Sequence, residues 1–329
     1  MPSRTRMKDV ADALGLAPST VSRALASDDS PHVSVEVRDR VRAMCATMGY
    51  RPNLSARRLR TGRTDTIGLL AYEQYSLFFQ WVTSLVHDVV SAQGLGLLVD
   101  TPARLTALHG PAALANQWAV DGVVAYDVAA DHPDMLTRLG LPVVVCGPSA
   151  PAGIDHIASD IADGARQAMD HLLSLGRRRI AFIGPEDRDD AAEPRRAVYR
   201  QALDEAGLEP TMLLGPVSGN RPDVRAFLTE YASGQPLPDA IFCVNDEHAI
   251  GCLRALADLG VRVPDDVAVV GFDGTVDSAF TSPDLTTIEQ PVAAMCRLAV
   301  DLLARRREQP DAPPEHHVFP CRLVQRGSA

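Results

Sequence analysis

The chain has 329 residues, 46% hydrophobic and 22% charged, with a formal net charge of −10. The composition is that of a folded globular protein rather than a disordered or fibrous one, and the length calls for two or three packed units. No apolar run reaches the roughly 18 residues of a membrane span, and Met1-Pro2-Ser3-Arg4-Thr5-Arg6 lacks the apolar stretch of a secretion signal, so a cytoplasmic protein with no membrane partner is expected.

The first elements read as two short helices around a tight turn, from Thr5 to Leu25. At about 100° per residue, Val21 and Leu25 share one side of the second helix, while Ser19, Ser22 and Arg23 fall opposite and Thr20 lies at the flank. Pro18 suits a first helical position, and Gly15 can take the positive φ of a sharp interhelical turn. Ser34 is placed to cap a third helix from Val35 to Thr47. Val10, Leu14, Val21, Leu25, Val41 and Met44 would then form one small core. This is the layout of a helix-turn-helix DNA reader, the competing reading being an ordinary helical hairpin with a solvated polar face.

Charge weighs against the plain hairpin. Through Thr64 there are 12 basic against 6 acidic residues, which from the chain totals of 32 and 42 leaves 20 against 36 for the remainder. A head of +6 can supply the salt-dependent part of DNA affinity, whereas a body of −16 should not bind phosphate backbones by itself. The segment from Gly49 to Thr64 is too short and basic to bury a core. It reads as a linker with one or two helical turns, Asn53 as cap, marginal until phosphates neutralise its charge.

From Thr66 onward short apolar runs alternate with helical stretches. They are Ile67–Ala71, Leu95–Val99, Gly122–Ala125 and Pro142–Cys146, then Ile180–Gly184, Ala240–Val244 and Val267–Gly271. Continuous Val, Ile and Leu runs of this kind belong to parallel sheets covered on both faces, so two doubly wound α/β lobes are expected. Ligands of such sheets gather at the carboxyl ends of strands. Three candidates stand there: Asn245 with Asp246, Asp273 within Gly271-Phe272-Asp273-Gly274, and Arg195 at the opening of a helix. An Asp and an Asn can bracket adjacent hydroxyls and a guanidinium offers a planar donor fork, which together suit a polyhydroxylated small molecule. Taken singly, Asn245 and Asp273 also suit capping of the turns that follow their strands.

Other chemistries find no footing. No glycine-rich phosphate loop follows a strand, and there is no Gly-x-Ser-x-Gly elbow or other nucleophile-and-base pattern, so no enzyme, catalytic residue or cofactor is expected. The six cysteines are scattered without Cys-x-x-Cys spacing and read as buried thiols, not as a disulfide framework or zinc site. His316-His317 lacks further ligands and reads as an exposed polar pair, so no metal is expected.

Several stretches, in order and spacing, resemble the lactose-repressor family of bacterial transcription regulators. They are Lys8-Asp9-Val10-Ala11, Ser19-Thr20-Val21-Ser22-Arg23, Tyr50-Arg51-Pro52-Asn53 with Ala56-Arg57-x-Leu59, His171-Leu172, Val244-Asn245-Asp246, Gly271-Phe272-Asp273, and Leu285-Thr286-Thr287-Ile288-x-Gln290. The resemblance implies a helix-turn-helix head over residues 1–50, a hinge helix and linker over 51–64, and a two-lobed, periplasmic-binding-protein-like effector-binding and dimerisation domain over 65–329. It places Met7, Pro18, Ser19, Thr20, Ser22 and Arg23 at the DNA, with Asn53, Ala56, Arg57 and Leu59 on the hinge, the last reaching the minor groove. It places Arg195, Asn245, Asp273 and Gln290 in the effector cleft, with Phe78 and Phe79 reaching it from the first lobe.

The function so implied is a DNA-binding regulator, a repressor, whose affinity for a pseudo-palindromic operator is controlled by a small effector such as a sugar. The departures are informative. Pro18 and Ser19 stand where relatives often carry longer base-reading side chains, and Val145-Cys146-Gly147-Pro148 lacks the acid that many sugar-binding relatives place after that strand. The chain stops soon after Arg326 without a heptad tail, so a homodimer is expected. The alternatives are a solute-binding or sugar-processing protein with an N-terminal interaction module, or a regulator answering to a purine or other non-sugar ligand.

Overall fold

The computed structural model describes residues 5–26, 33–50, 63–71, 76–105, 118–185, 193–215 and 220–329. The chain divides into two compact units, Met1–Thr64 and Asp65–Ala329.

Among the described residues the first unit contains three helices, α1 (Met7–Leu14), α2 (Pro18–Ala26) and α3 (Val35–Thr47). Gly15 ends α1 at φ 66°, a left-handed conformation in which its N–H and that of Leu16 reach back to the last turn, the latter donating to Ala11 O at 3.0 Å. The Asp9 carboxylate accepts the Arg6 N–H at 2.7 Å, and Ser34 caps α3 by accepting from the Val37 N–H at 3.3 Å. The core holds Val10, Val21 and Val41 as the apolar pattern requires, with Leu14, Leu25 and Met44 packed against it. Ala11, Ala24, Val33, Cys45 and Tyr50 complete it. The Thr5 hydroxyl donates to Met48 O at 2.9 Å and ties the start of the head to the end of α3. The hinge residues Asn53, Ala56, Arg57 and Leu59 lie outside the described residues.

The second unit carries two six-stranded sheets. The first lobe uses β1 (Thr66–Ala71), β2 (Gly96–Asp100), β3 (Gly122–Tyr126), β4 (Val143–Cys146), β5 (Asp155–Ser159) and β11 (His316–Phe319) in the order β11-β5-β4-β3-β1-β2. The second uses β6 (Ile180–Pro185), β7 (Thr211–Gly215), β8 (Ala240–Cys243), β9 (Ala268–Asp273), β10 (Thr286–Glu289) and β12 (Arg322–Val324) in the order β12-β10-β9-β8-β6-β7. All pairings are parallel except the β10–β12 edge. The helices are α4 (Leu77–Ala92), α5 (Pro133–Arg138), α6 (Ile161–Ser174), α7 (Pro194–Glu205), α8 (Arg221–Gly234), α9 (Asp246–Asp258) and α10 (Val292–Glu308).

Side-chain alternation shows why both faces are covered. On β8, Ala240 and Phe242 point toward α6 and α7, while Ile241 and Cys243 point toward α8 and α9. Each large apolar side chain so buried contributes about 1.5–3 kcal/mol relative to exposure. In the first lobe α4 and α10 cover one face, with Val82, Val86, Val90, Met295, Ala299 and Leu303 at the contact.

All seven predicted strands form. Those missed, β5, β7, β10, β11 and β12, carry polar or mixed residues. The reading of His316-His317 as an exposed polar pair holds for His316 and is corrected for His317: both belong to β11, which pairs with β5 so that His316 faces His156. Their Nδ1 atoms lie 2.9 Å apart, and the other His156 nitrogen meets Gly147 O at 2.8 Å. His316 is exposed and His317 half-buried. The six cysteines are free and buried.

Gly164 on α6 shows how closely helix and sheet meet in the second lobe. A Cβ there would stand 2.8 Å from Ile288 Cγ2 and 2.9 Å from Cys321 Cβ. Gly164→Ala is therefore expected to lower stability by about 1–3 kcal/mol through overpacking, measured as a lower denaturant midpoint by circular dichroism; an unchanged or raised midpoint would contradict this packing.

Candidate nucleic-acid interface and ligand cleft

In the head, burial of Val21 and Ala24 fixes which side of α2 remains available. Pro18, Ser19 and Arg23 are exposed, and Thr20 and Ser22 are half-buried along the same side. Met7, half-buried at the start of α1, packs against the head core. The available surface thus holds small hydroxyls and one guanidinium, a set that can donate to phosphate oxygens or base edges.

In the second unit the polar candidates stand at strand ends. Arg195 opens α7, directly after Pro194, and its guanidinium is engaged on three atoms. Nε and Nη2 donate to the Glu193 carboxylate at 2.5 and 2.9 Å, and Nη1 donates to Val244 O at 2.7 Å. Its central carbon lies 5.0 Å above the Phe272 ring, within range of a cation–π contact. Burial alone would lower its pKa, but Glu193, with Asp273 and Asp127 also in electrostatic reach, holds it above its usual value. Asp127 follows β3 of the first lobe, so strand ends of both lobes converge on this guanidinium.

Asn245 caps α9, its Oδ1 accepting from the His248 N–H at 2.9 Å and lying 2.7 Å from His248 Nδ1. The capping role weighed from sequence is present. His248 is buried, its Nε2 has no partner among the described residues, and burial, aided by Arg195, lowers its pKa to about 4. Asp273 ends β9 at φ 115°, a backbone conformation rare outside glycine, and its Oδ1 accepts from Gln290 Nε2 at 2.9 Å. Gln290 Oε1 in turn accepts from the Ser159 hydroxyl at 2.8 Å, so a three-residue chain of bonds runs from the second lobe to the first. Burial, reinforced by the Asp246 charge, pushes the Asp273 carboxyl well up.

Asp246 is fully enclosed. Its Oδ2 accepts from the Thr275 N–H and hydroxyl at 2.7 and 2.8 Å, and its Oδ1 from the Thr287 hydroxyl at 2.5 Å. Burial still raises its pKa to about 6 against those bonds. This carboxylate staples α9 to the turn after β9 and to β10, and so fixes the backbone that carries Asp273.

The aromatic pair divides. Phe78 is buried in the first-lobe core, edge-to-face with Tyr126 at 5.9 Å. Phe79 is half-buried and lines a cavity of about 330 Å³ with Ala71, Gln80, Thr83, Val99, Asp100 and Thr101. That cavity shares Phe79 with the predicted effector set but none of Arg195, Asn245, Asp273 or Gln290. In the second lobe Gln290 is bonded to Asp273, while Arg195 is held by Glu193 and Val244 O and Asn245 by His248, so the chemistry and not the volume marks this place. Glu193, Asp127 and Ser159 are the residues sequence reasoning missed. Only Glu193 left a trace, an acid two positions before the predicted arginine. Among the described residues no cluster of three or more His, Cys, Asp or Glu could hold a metal, and no helix is long and apolar enough to cross a membrane.

Comparison with known proteins adds family evidence. Residues 6–53 match the family model described as bacterial regulatory proteins, lacI family, and residues 169–329 match a periplasmic binding protein-like domain. An HTH-type transcriptional regulator CelR from Thermobifida fusca is 33% identical, covering 99% of this chain and 98% of its own. A structure of a transcriptional regulator CelR–cellobiose complex aligns with TM-score 0.69 at 30% identity, over 99% of this chain and 100% of that one. The lac repressor dimer bound to operator and the anti-inducer ONPF aligns with TM-score 0.82 at 25% identity, over 99% of both chains.

The buried imidazole makes a pH prediction with a definite sign. His248 has a folded pKa of about 4 against the ordinary imidazole value of 6.5, so the unfolded chain binds the proton first as pH falls. Its contribution is intact above the unfolded value and is lost on acidification, by about 2 kcal/mol between pH 6.5 and 5. Urea titrations at these two pH values should show a smaller loss for His248→Asn, which keeps a donor toward Asn245, than for wild type. Equal losses would refute it.

Proposed function

The chain belongs to the lacI family of bacterial regulatory proteins, and from that premise we propose a cytoplasmic repressor, not an enzyme, whose operator affinity is set by a small hydroxyl-rich ligand. The observation that carries the DNA half is the exposed side of α2, where Pro18, Ser19 and Arg23 stand clear of a head core closed by Val21 and Ala24. The basic head makes phosphate contacts and the acidic body does not. A homodimer would hold two heads on successive major grooves of a pseudo-palindromic site. Met7, Thr20 and Ser22 complete the head contacts. With Pro18 and Ser19 short, base readout falls mainly to Arg23 and to the hinge residues Asn53, Ala56, Arg57 and Leu59. Paired Leu59 side chains would wedge into a central minor-groove step, which costs a few kcal/mol and favours a flexible pyrimidine–purine centre.

The ligand half rests on Arg195, Asn245, Asp273 and Gln290 at the strand ends of the second lobe, with Phe79 and Ser159 from the first. The relative that carries cellobiose supports a sugar as the ligand class. Ligand seated between the lobes changes their relative orientation and hence the spacing of the two hinges, by no more free energy than its differential affinity for the two arrangements.

Two measurements test this reading. Arg23→Ala should cost about 1–3 kcal/mol of specific binding and relax selectivity at one base pair, whereas Arg57→Ala should chiefly flatten the salt dependence. Fluorescence anisotropy on the site recovered by selection from random DNA reads both, and an unchanged ratio of specific to random binding in the Arg23 variant would refute the assignment. Asp273→Asn, which keeps the side-chain shape, should weaken calorimetric binding of whichever sugar binds wild type by about tenfold, one hydrogen bond's worth. Undiminished binding would return Asp273 to a capping role.

A further inference from the structure

The positive charge that the cleft offers is already matched from within the chain. Glu193 is buried, accepts the Arg195 N–H at 3.2 Å as the cap of α7, and takes the guanidinium in a two-pronged grip at 2.5 and 2.9 Å. With Nη1 committed to Val244 O, three of the five guanidinium hydrogens are engaged. Among the described residues the surroundings add no matching positive charge: Asp127 acts on Arg195 from the first lobe, and His248 turns Nδ1 to Asn245 and stays neutral near pH 7.

A phosphate or carboxylate brought to this place would meet the Glu193 and Asp127 carboxylates. It could take the two remaining guanidinium hydrogens only against the repulsion of those carboxylates, and a two-pronged grip on the Nε–Nη2 edge would strip Glu193 of its partner and leave a buried carboxylate uncompensated. A hydroxyl makes no such demand. It can accept one of the two remaining guanidinium hydrogens and donate to a carboxylate oxygen of Glu193 or Asp273 while both ion-pair bonds persist.

We propose that the cleft takes an uncharged, hydroxyl-rich ligand and rejects its phosphorylated form, with Glu193 as the residue that sets this selectivity through its grip on Arg195. The inference rests on the ligand cleft described under Proposed function and narrows it to unphosphorylated carbohydrates and polyols.

The test uses the full chain and two matched sets of probes, neutral mono- and disaccharides and polyols on one side and their monophosphates on the other, by thermal shift and then calorimetry at pH 7.5. Wild type is expected to bind a neutral member at least about tenfold more tightly than the corresponding monophosphate. Glu193→Gln, which keeps the shape and removes the charge, is expected to shrink that ratio by about tenfold, while Glu193→Asp, which keeps the charge, leaves it high. A wild-type preference for a monophosphate overturns the inference and leaves the carbohydrate cleft standing. A folded Glu193→Gln variant with the wild-type ratio overturns the role of Glu193. Should that variant not fold, the ratios in wild type and Glu193→Asp decide, and a low ratio in either overturns the proposal. Silence toward both probe sets overturns the carbohydrate reading, and this inference with it.

Discussion

Gln290 stands at the second of three places where the chain passes between the lobes of the larger unit, and its amide is bonded toward both. The passages run from β5 to α6, from β10 to α10 and from β11 to β12, each only a few residues long. At the first sits Ser159, whose hydroxyl donates to Gln290; Gln290 donates onward to Asp273. A neutral hydrogen bond of this kind contributes about 0.5–1.5 kcal/mol net. That is small beside the cores on either side and comparable with what a ligand can alter. Short connections that carry polar contacts in place of packed apolar ones are where a two-lobed molecule yields first.

The same connections explain what the sequence shows plainly and what it hides. Runs such as Val143–Cys146 and Val267–Gly271 sit between helices on both faces, so burial forces them to be uniformly apolar and they announce themselves. β5 and β11 cannot, because β5 is buried by pairing with particular polar partners and β11 is an edge strand that stays partly exposed. Asp155 is enclosed only because Arg306 grips it at 2.6 and 3.0 Å and the Glu315 N–H donates to it at 2.8 Å. His156 is enclosed because Gly147 O and His316 flank it. Apart from Gly147, those partners lie 151–160 residues away in sequence, beyond the reach of any local pattern. The site divides in the same way. Arg195, Asn245 and Asp273 are legible as polar residues where apolar strands end, whereas Ser159 ends a strand that is itself not legible. Asp127 follows a strand that was, but only the convergence of the two lobes gives it meaning.

Charge is partitioned to match. The guanidinium exposed on α2 keeps its charge available to an outside anion, and the guanidinium at the head of α7 has its charge matched by Glu193. One residue type thus serves two ends of the chain in opposite ways, and the deciding variable is the nearest carboxylate. In the acidic body an unmatched cation would draw in cellular polyanions indiscriminately. Matching it internally leaves a planar donor fork fixed in place.

That fixing bears on how a ligand can act at a distance. Asp246 locks α9, the turn at Thr275 and strand β10 together, and so holds Asp273 at φ 115°. Glu193 and Val244 O lock Arg195. On the proposed function the second lobe therefore presents a preformed half-site, and contacts to it would be made equally well whichever way the first lobe is turned. Affinity that is equal in two arrangements shifts nothing between them, however large it is. On that proposal the regulatory free energy would come from the minority of groups whose distance to the ligand depends on lobe orientation, namely Phe79, Asp127 and Ser159 on the first lobe, and Gln290 through its bond to Ser159. Tight binding and strong regulation are thus assigned to different residues, so changes in the second lobe should trade affinity while changes at these four trade the response.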